Sequence, residues 1–521
     1  MSLKARKRQW TALGIAACVL SCTSCEVGPN YHAPALSTPT GFGAPPGTTS
    51  SGTGADLARI SPSQITGTDA PWSDWWTRLG DPELDSLIAR AESANHTIKI
   101  AVARVREARS IVRIAESQLY PTLDLSGGVF KSRGSATGFG SPYGIPGIRS
   151  DLFQLGFDAS YEIDLFGGIR RQIESSKDAA DAALDEQRGV HITVQAEVAR
   201  AYITTRALQQ RIAITRANAA DEAHTREIVQ RRFKNGLATS FDVLRAQAQV
   251  SATEASLPTL DTALESNRHA LAILLGQPPL ALNDELAEAK PVPAVPPVVP
   301  IGLPSELLRR RPDVMEAERM LAAATAAQGI AVSELFPHLL LGGSAGVQTR
   351  HTNEIFNVHG PSSGFYLAGP SAEWQILDGG RRKAGIERSK AEVEEALEVY
   401  EATVLSAIGD VEDAITAYGN DQASRQKLVD LVEENNEAVR IAHAEYSQGL
   451  VTLLDVLDVQ RNAYIAQDAL AQTNQAVVLD LIALYKGLGG GWEAPGSDHA
   501  EQKPKATSPA AGSNGTIKTG P

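Results

Sequence analysis

The sequence has little cysteine, few aromatic residues and no excess of positive charge. All three cysteines, Cys18, Cys22 and Cys25, precede Glu26 in a chain of 521 residues. The remaining chain therefore has neither a disulfide nor a thiol. Aromatic residues make up only 5%, and the formal net charge is −13. Because phosphate binding needs basic patches, this balance disfavours a nucleic-acid partner.

Catalytic and metal-binding motifs are also missing. The ten histidines are scattered, with no HExxH pair, and no glycine-rich phosphate loop follows a strand. His351 and His359 share a predicted loop, where we interpret them as surface residues. The three methionines are too few for a copper relay. The sequence therefore predicts no enzyme, no cofactor and no metal site.

The N-terminal sequence has the features of a lipoprotein signal peptide. A basic start precedes WTALGIAACVL, an apolar run too short to anchor stably across a bilayer, and SCTSCEVGPNY follows. We therefore predict a signal peptide at residues 1–24 and an acylated cysteine after it, which would bind outer membrane lipids. The local pattern alone favours Cys22, which follows Val19-Leu20-Ser21. Leader cleavage without acylation is the alternative.

Three segments have the composition of linkers. Residues 25–71 are rich in Pro, Gly and Ser, and residues 279–304 form a proline-rich connector. Residues 491–521 resemble the first segment and are predicted to be a disordered tail. Neither of the two terminal segments is expected to carry chemistry.

A very long helix dominates the second half of the chain. From Arg381 to Ser447 no proline occurs, and apolar residues recur at spacings of three and four, among them Val393, Leu397 and Tyr400. Such a helix would be roughly 100 Å long at about 1.5 Å per residue. It exceeds any ordinary compact domain, so we expect rods packed against rods.

Several sequence motifs occur once in each half of the chain. Gly168 opens GIRRQIESSK much as Gly380 opens GRRKAGIERSK, and FKNGLATSFDVLRAQ mirrors YSQGLVTLLDVLDVQ. ESQLYPTLDL likewise mirrors SELFPHLLL. The chain is therefore predicted to be a tandem duplication, with repeats at residues 72–278 and 305–490. Each repeat holds a helix, a β-hairpin, a long helix and a return helix.

Within each repeat the period changes from 3.6 to 2. Hairpins are predicted at residues 122–164 and 339–376, with apolar residues alternating with polar ones, as suits strands between lipid and water. A soluble half-buried sheet is the alternative for one hairpin alone. The face away from lipid would carry the carboxylates Asp124, Asp158, Glu162 and Glu373.

Glycines and prolines mark the predicted turns and kinks. Sharp strand-to-helix turns are expected at Gly167, Gly168, Gly379 and Gly380. We predict unbroken helices from Pro82 to Leu119 and from Ser305 into the SELFP phrase. The return helix from Phe241 to Leu275 should be kinked by Pro258.

Four strands cannot close a barrel. Open edges in lipid would leave backbone groups unsatisfied at several kcal/mol each. Several chains must therefore share one barrel, and three copies would give about twelve strands, an even number within the known range. The sequence predicts a homotrimer enclosing an acidic channel.

The sequence resembles the TolC-like outer membrane efflux proteins, in particular their NodT-type lipoprotein branch. The matching phrases are CEVGPNYHAP, SQLYP, IGLPSELLRRRPDV, SELFP, ILDGGRRKAG and YSQGLVTLLDVLDVQR. The resemblance implies a trimer with a twelve-stranded outer-membrane barrel, a periplasmic α-helical barrel and a mixed equatorial region. It also implies a periplasmic membrane-fusion adaptor and an inner-membrane pump of the resistance-nodulation type. Its cysteine position favours Cys25 over Cys22.

The resemblance further implies a gate at the periplasmic tip. An Asp-x-x-Asp pair from each chain would ring the opening, and here it is Asp455 and Asp458. Repulsion among six carboxylates should raise some of their pKa values and favour a bound cation. Tyr446 and Asp242 match positions that tie the inner hairpin to its neighbour. A basic residue found nearby in some members is replaced by Val451.

The function expected from the sequence is a passive exit duct for small molecules. A type I protein-secretion channel is the alternative within the transport class. A structural coiled-coil surface lipoprotein is the alternative from another class, and the strand hairpins argue against it.

Overall fold

The structure, a computed structural model, describes residues 26–35, 39, 41–43, 64–66, 73–133, 149–301, 304, 309–350 and 363–492. The predicted signal peptide, Cys22, Cys25, His351, His359 and residues 493–521 of the predicted tail lie outside these ranges.

The first half of the chain contains two antiparallel strands followed by a long helix. A short strand and a 3-10 helix, Trp75–Leu79, come before them. The elements are β1 (Gln64–Thr66), α1 (Pro82–Ala94), α2 (His96–Ser117), β2 (Thr122–Arg133), β3 (Arg149–Ile163), α3 (Gly168–Lys234), α4 (Ser240–Glu254) and α5 (Leu257–Leu274).

The second half repeats this order. A short strand, β4 (Val298–Pro300), pairs in parallel with β1. The remaining elements are α6 (Pro312–Ser333), β5 (His338–Thr349), β6 (Gly364–Glu373), α7 (Arg381–Gln448) and α8 (Leu453–Gly487). The predicted second hairpin is shorter than expected, since β6 ends at Glu373 and residues 374–376 leave the strand.

The four long strands form one antiparallel sheet in the order β2-β3-β5-β6. They contain 12, 15, 12 and 10 residues, and a membrane strand needs about 9–11. β2 and β6 are the two edges of this sheet. None of the helices within the described ranges has the length and hydropathy needed to cross a bilayer.

The two long helices are nearly equal, at 67 residues for α3 and 68 for α7. Each is preceded by a glycine in the left-handed conformation, Gly167 with φ of 82° and Gly380 with φ of 91°. The return helices α4 and α8 both begin with a capping box. The predicted rods are therefore present, and both halves use the same devices to start them.

Two predicted helices are broken. The predicted helix 82–119 divides at Asn95, whose Oδ1 accepts the N–H groups of Thr97 and Ile98 and whose amide donates to Leu274 O at 2.7 Å. In the second half the chain leaves the helix at Arg311, since the residue before a proline avoids the helical conformation. α6 then begins at Pro312.

The return helix of the first repeat is interrupted rather than kinked. α4 ends at Glu254 and α5 begins at Leu257, which places Pro258 in the first turn of the new helix, where proline is tolerated. The corresponding helix α8 runs without a break for 35 residues.

The largest hydrophobic core lies where the 3-10 helix, α1, α3, α5, α7 and α8 meet. Trp75 is 1% exposed and stacks on Tyr485, with ring centroids 5.5 Å apart. Tyr202 is fully buried and donates to Asp81, the N-cap of α1, at 2.6 Å. Trp75 and Trp76 are thus both buried among the helices, and Trp72 lies outside the described residues.

Described residues within the predicted linker and the predicted tail pack against the helices. Residues 26–31, assigned to the linker, pack on α3 and α6. At the other end Trp492, assigned to the tail, donates to Arg310 O at 3.0 Å and lies under the Arg188 guanidinium. In both segments the contacts come from residues far away in the sequence.

Candidate functional site

The register of the sheet gathers the four predicted lumen carboxylates on one face. Asp124 lies opposite Asp158, and Asp158 lies opposite Ser344. Since side chains alternate along a strand, Glu162 shares this face, as does Glu373 opposite His338. Like charges directly opposite one another destabilise a sheet. These carboxylates therefore do not stabilise the sheet, and their presence on one face indicates a functional role.

Two of these carboxylates have hydrogen-bond partners on the same face. Asp158 accepts a hydrogen bond from the Ser126 hydroxyl at 2.5 Å. Glu162 Oε1 lies 2.7 Å from His338 Nδ1. His338 was missed in the sequence, because its pairing with Glu162 depends on the register of β3 against β5.

The opposite face of the sheet is apolar and open. Leu125, Phe157, Ala345 and Tyr366 form one row across all four strands. Leu125 is 64% exposed, Phe157 54% and Tyr366 87%. An exposed apolar row this wide marks an interaction surface, here one that suits lipid.

Each strand-to-helix turn is held by an aspartate and an arginine. Asp164 accepts from the backbone N–H of Arg170 at 3.0 Å and from its guanidinium at 3.2 Å. In the second half Asp378 accepts from the N–H and guanidinium of Arg382 at 3.2 and 2.7 Å. A carboxylate at a helix N-terminus satisfies free N–H groups and complements the dipole.

Of the four predicted turn glycines, three are left-handed. Gly167, Gly379 and Gly380 have positive φ, whereas Gly168 does not. A Cβ at Gly168 would stand 2.6 Å from Ser333 Oγ. Gly168 is thus needed for close packing against α6 and not for the turn itself.

The N-terminal segment 26–31 docks at the first of these turns. Val27 N donates to Phe166 O at 3.2 Å, and Arg171, only 2% exposed, contacts Asn30 Oδ1 at 2.5 Å. Gly28 has φ of +94°, and a Cβ there would stand 2.6 Å from the Cα of Gly329. The residue after Cys25 is therefore fixed beside the end of β3.

The predicted gate aspartate Asp455 is part of a helix cap. Its Oδ2 accepts from Thr452 N at 2.8 Å and Thr452 Oγ1 at 2.6 Å. The hydrogen bond from the Thr452 side chain is the main reason that the pKa of Asp455 is lowered. Within one chain the direction is opposite to the one predicted for the assembled ring. Asp458 forms an ion pair with Arg461 on the next turn.

Asp242 and Tyr446 lie in the same region but are not hydrogen-bonded to each other. Asp242 caps α4, where it accepts from Thr239 N at 2.9 Å. Tyr446 is 6% exposed and packs with Val229, Ala246 and Val456. Burial is the main reason that its pKa is raised, and the nearby charge of Asp242 adds to this.

The sequence model of the outer membrane efflux protein family matches residues 87–277 and 303–490, which is most of the chain. The chain belongs to the outer membrane efflux protein family.

Curated relatives of this efflux protein align over most of their lengths. The pyoverdine export outer membrane protein OpmQ of Pseudomonas putida is 33% identical over 83% of this chain and 91% of its own. Nodulation protein T of Rhizobium leguminosarum bv. viciae is 31% identical over 97% and 98%. Among solved structures, the outer-membrane channel OprN has a TM-score of 0.79 and 32% identity, covering 90% of this chain and all of its own.

These similarities confirm the predicted family and fold class. The protein is mainly helical with a membrane β-sheet, as in the TolC-like outer-membrane channels, and it is an outer membrane efflux channel that extends into the periplasm. The conserved architecture gives each part of the chain a location. The sheet lies in the outer membrane, and the hairpin tips lie in the periplasm.

Two carboxylates of the efflux protein face each other between α7 and α8. Asp421 lies within hydrogen-bonding reach of Asp480, and burial together with this neighbour raises the pKa of Asp480 to about 7. A carboxylate pair that shares one proton ties two helices together, whereas the fully ionised pair repels. The packing of the second hairpin is thus expected to depend on pH.

Replacement of Asp480 by asparagine tests this dependence. The pKa of Asp480 in the folded protein lies above the ordinary value of 3.8. The protonated Asp480 therefore contributes its full stabilisation below about pH 4, and this contribution is lost as pH rises through about 7. We expect Asp480→Asn to raise stability near pH 8 by on the order of 1 kcal/mol, after allowance for partial exposure.

The measurement is the melting temperature of wild type and variant near pH 5 and pH 8. Asp421→Asn removes the same repulsion and should behave alike. A difference between wild type and Asp480→Asn that is equal at both pH values would contradict the shared proton.

Proposed function

We propose that three copies of this chain form one passive exit duct for small molecules. The observation that carries the proposal is the four-stranded sheet whose edge strands, β2 and β6, have no partner among the described residues. In lipid such edges must be paired, since each unsatisfied backbone group costs several kcal/mol. Pairing β6 of one chain with β2 of the next closes a barrel of about twelve strands.

The proposed barrel continues into a helical tunnel. α3 and α7 start within a few residues of β3 and β6 and rise by about 100 Å at 1.5 Å per residue. The carboxylate-bearing sheet face would line the pore, and the row of Leu125, Phe157 and Tyr366 would meet lipid. Inverting the sheet would put exposed carboxylates into hydrocarbon, which is far more costly.

We further propose that the duct serves a tripartite efflux system, with a periplasmic adaptor and an inner-membrane pump. The relative OpmQ is named as a pyoverdine export outer membrane protein. The chain itself would supply a path and a gate. The energy for transport would come from the pump.

We also propose that Cys25 carries a lipid. Residues 26–31 are held at the strand-to-helix turn by Arg171 and by the close approach of Gly28 to Gly329. This docking supports the proposal, because it holds Glu26, the residue that follows Cys25, beside the end of β3 and therefore near the outer membrane. Two acyl chains or more suffice for stable anchoring.

Labelled palmitate fed to expressing cells tests the anchor. Label should enter the wild-type protein and be absent from Cys25→Ser, while Cys22→Ser should still be labelled. Label that persists in Cys25→Ser and disappears in Cys22→Ser would assign the lipid to Cys22. Unlabelled wild-type protein would show that the leader is cleaved without acylation.

Asp455 and Asp458 are proposed to constrict the periplasmic end. Three copies would bring six carboxylates near one axis, where they would attract cations and repel one another. We expect Asp455→Ala with Asp458→Ala to raise single-channel conductance several-fold and to weaken block by divalent cations. Planar-bilayer recordings of the purified trimers would measure both quantities.

Glu437 offers a matched control for the lost negative charge. It lies on α7, is paired with Arg440 and is remote from the capping box. Glu437→Ala should conduct like wild type. Unchanged current in the double aspartate variant would remove these residues from the gate.

A further inference from the structure

The two helical hairpins of the chain are tied together by a ladder of polar contacts. The first hairpin is α3 with α4 and α5, and the second is α7 with α8. Arg211 on α3 binds Asp468 on α8 through two contacts of 2.7 and 3.1 Å. Farther toward the tip, Gln460 donates to Thr225 at 2.9 Å. Each rung joins α3 to α8.

At the tip the link changes from α8 to α7. Arg232, in the last turn of α3, donates through Nη1 to Tyr446 O at 2.8 Å and to Ser447 O at 3.4 Å. Its guanidinium lies over the Tyr446 ring, 4.8 Å from the centroid. A single side chain of the first hairpin thus holds both the backbone and the aromatic ring of the second.

The positive charge of Arg232 lies at the C-terminal end of α7, which has no basic residue of its own there. The last turn of this 68-residue helix contains no basic residue, whereas the last turn of α3 contains Arg231, Arg232 and Lys234. Terminal carbonyls of a helix carry partial negative charge and favour a nearby cation. Arg232 supplies that cation from the neighbouring hairpin.

The surroundings of Arg232 make the contact specific. Gly449, which is left-handed with φ of 82°, ends α7, and a Cβ there would stand 3.9 Å from Arg232 Nη2. Tyr446 is buried, and Val451 is packed against the same apolar cluster. A planar guanidinium can stack on a ring and donate at its edge together, which an ammonium cannot do.

We propose that Arg232 is the latch that holds the second hairpin closed against the first. It takes the place of the basic residue that Val451 replaces, with the charge moved to the other hairpin. Swinging the α7–α8 tip away from α3 would break the two hydrogen bonds and the ring contact together. The proposal rests on the proposed gate at the periplasmic tip, but its test does not involve the aspartates.

Planar-bilayer recordings of Arg232→Ala test the latch. We expect the conductance or the open probability of the trimer to rise about tenfold, as loss of charge-assisted hydrogen bonds permits. Arg231→Ala is the matched control, because it removes the same charge from the same turn at an exposed position. It should conduct like wild type.

Arg232→Lys keeps the test decisive if the alanine variant fails to assemble. It retains the positive charge but loses the planar guanidinium that stacks on the Tyr446 ring. Its conductance should therefore lie between those of wild type and Arg232→Ala. Wild-type conductance in Arg232→Ala or Arg232→Lys, or an equal rise in Arg231→Ala, would overturn the latch and leave the channel intact. Wild-type trimers that pass no current at all would overturn the duct and the latch together.

Discussion

The unpaired edges of the four-stranded sheet constrain everything else in this protein. Backbone groups at β2 and β6 have no partner within the described part of the chain, and lipid offers none. In the proposed barrel the apolar row of the sheet meets lipid and the carboxylate-bearing face meets water. A duct built from several chains follows from that one constraint, and the long helices extend it away from the membrane.

Because the chain is a tandem duplication, each hairpin tip occurs twice. The two copies differ at several equivalent positions. At an offset of 213, Asp242 and Asp455 both cap a return helix. At the same offset Arg245 corresponds to Asp458, and Arg232 corresponds to Glu445. At these two positions the first hairpin carries an arginine where the second carries a carboxylate. This asymmetry agrees with the proposed latch, in which a cation of the first hairpin holds the second hairpin.

The sequence predicted the regular elements well, because periodicity and turn residues act locally. The long helix from Arg381 and the strand alternation around Phe157 are examples. The break at Asn95 carried a local signal that was missed, an N-cap side chain before a helical run. The break before Pro312 followed from the restriction that proline places on the residue before it.

Other features could not be predicted locally. Arg232 contacts a carbonyl 214 positions away, and His338 contacts a carboxylate 176 positions away. The docking of residues 26–31 depends on a glycine in α6 that no local pattern distinguishes. The Arg232 contact depends on the packing of α3 against the second repeat, and the His338 contact depends on the register of β3 against β5. No local pattern determines this packing or this register, so the candidate site was only half predictable.

The most direct measurement of the central claim is the number of chains in the detergent-purified protein. Native mass spectrometry should give three times the mass of one mature chain, as a shared barrel requires. A protein that is monomeric and still conducts would contradict the account, because one chain would then close its own pore.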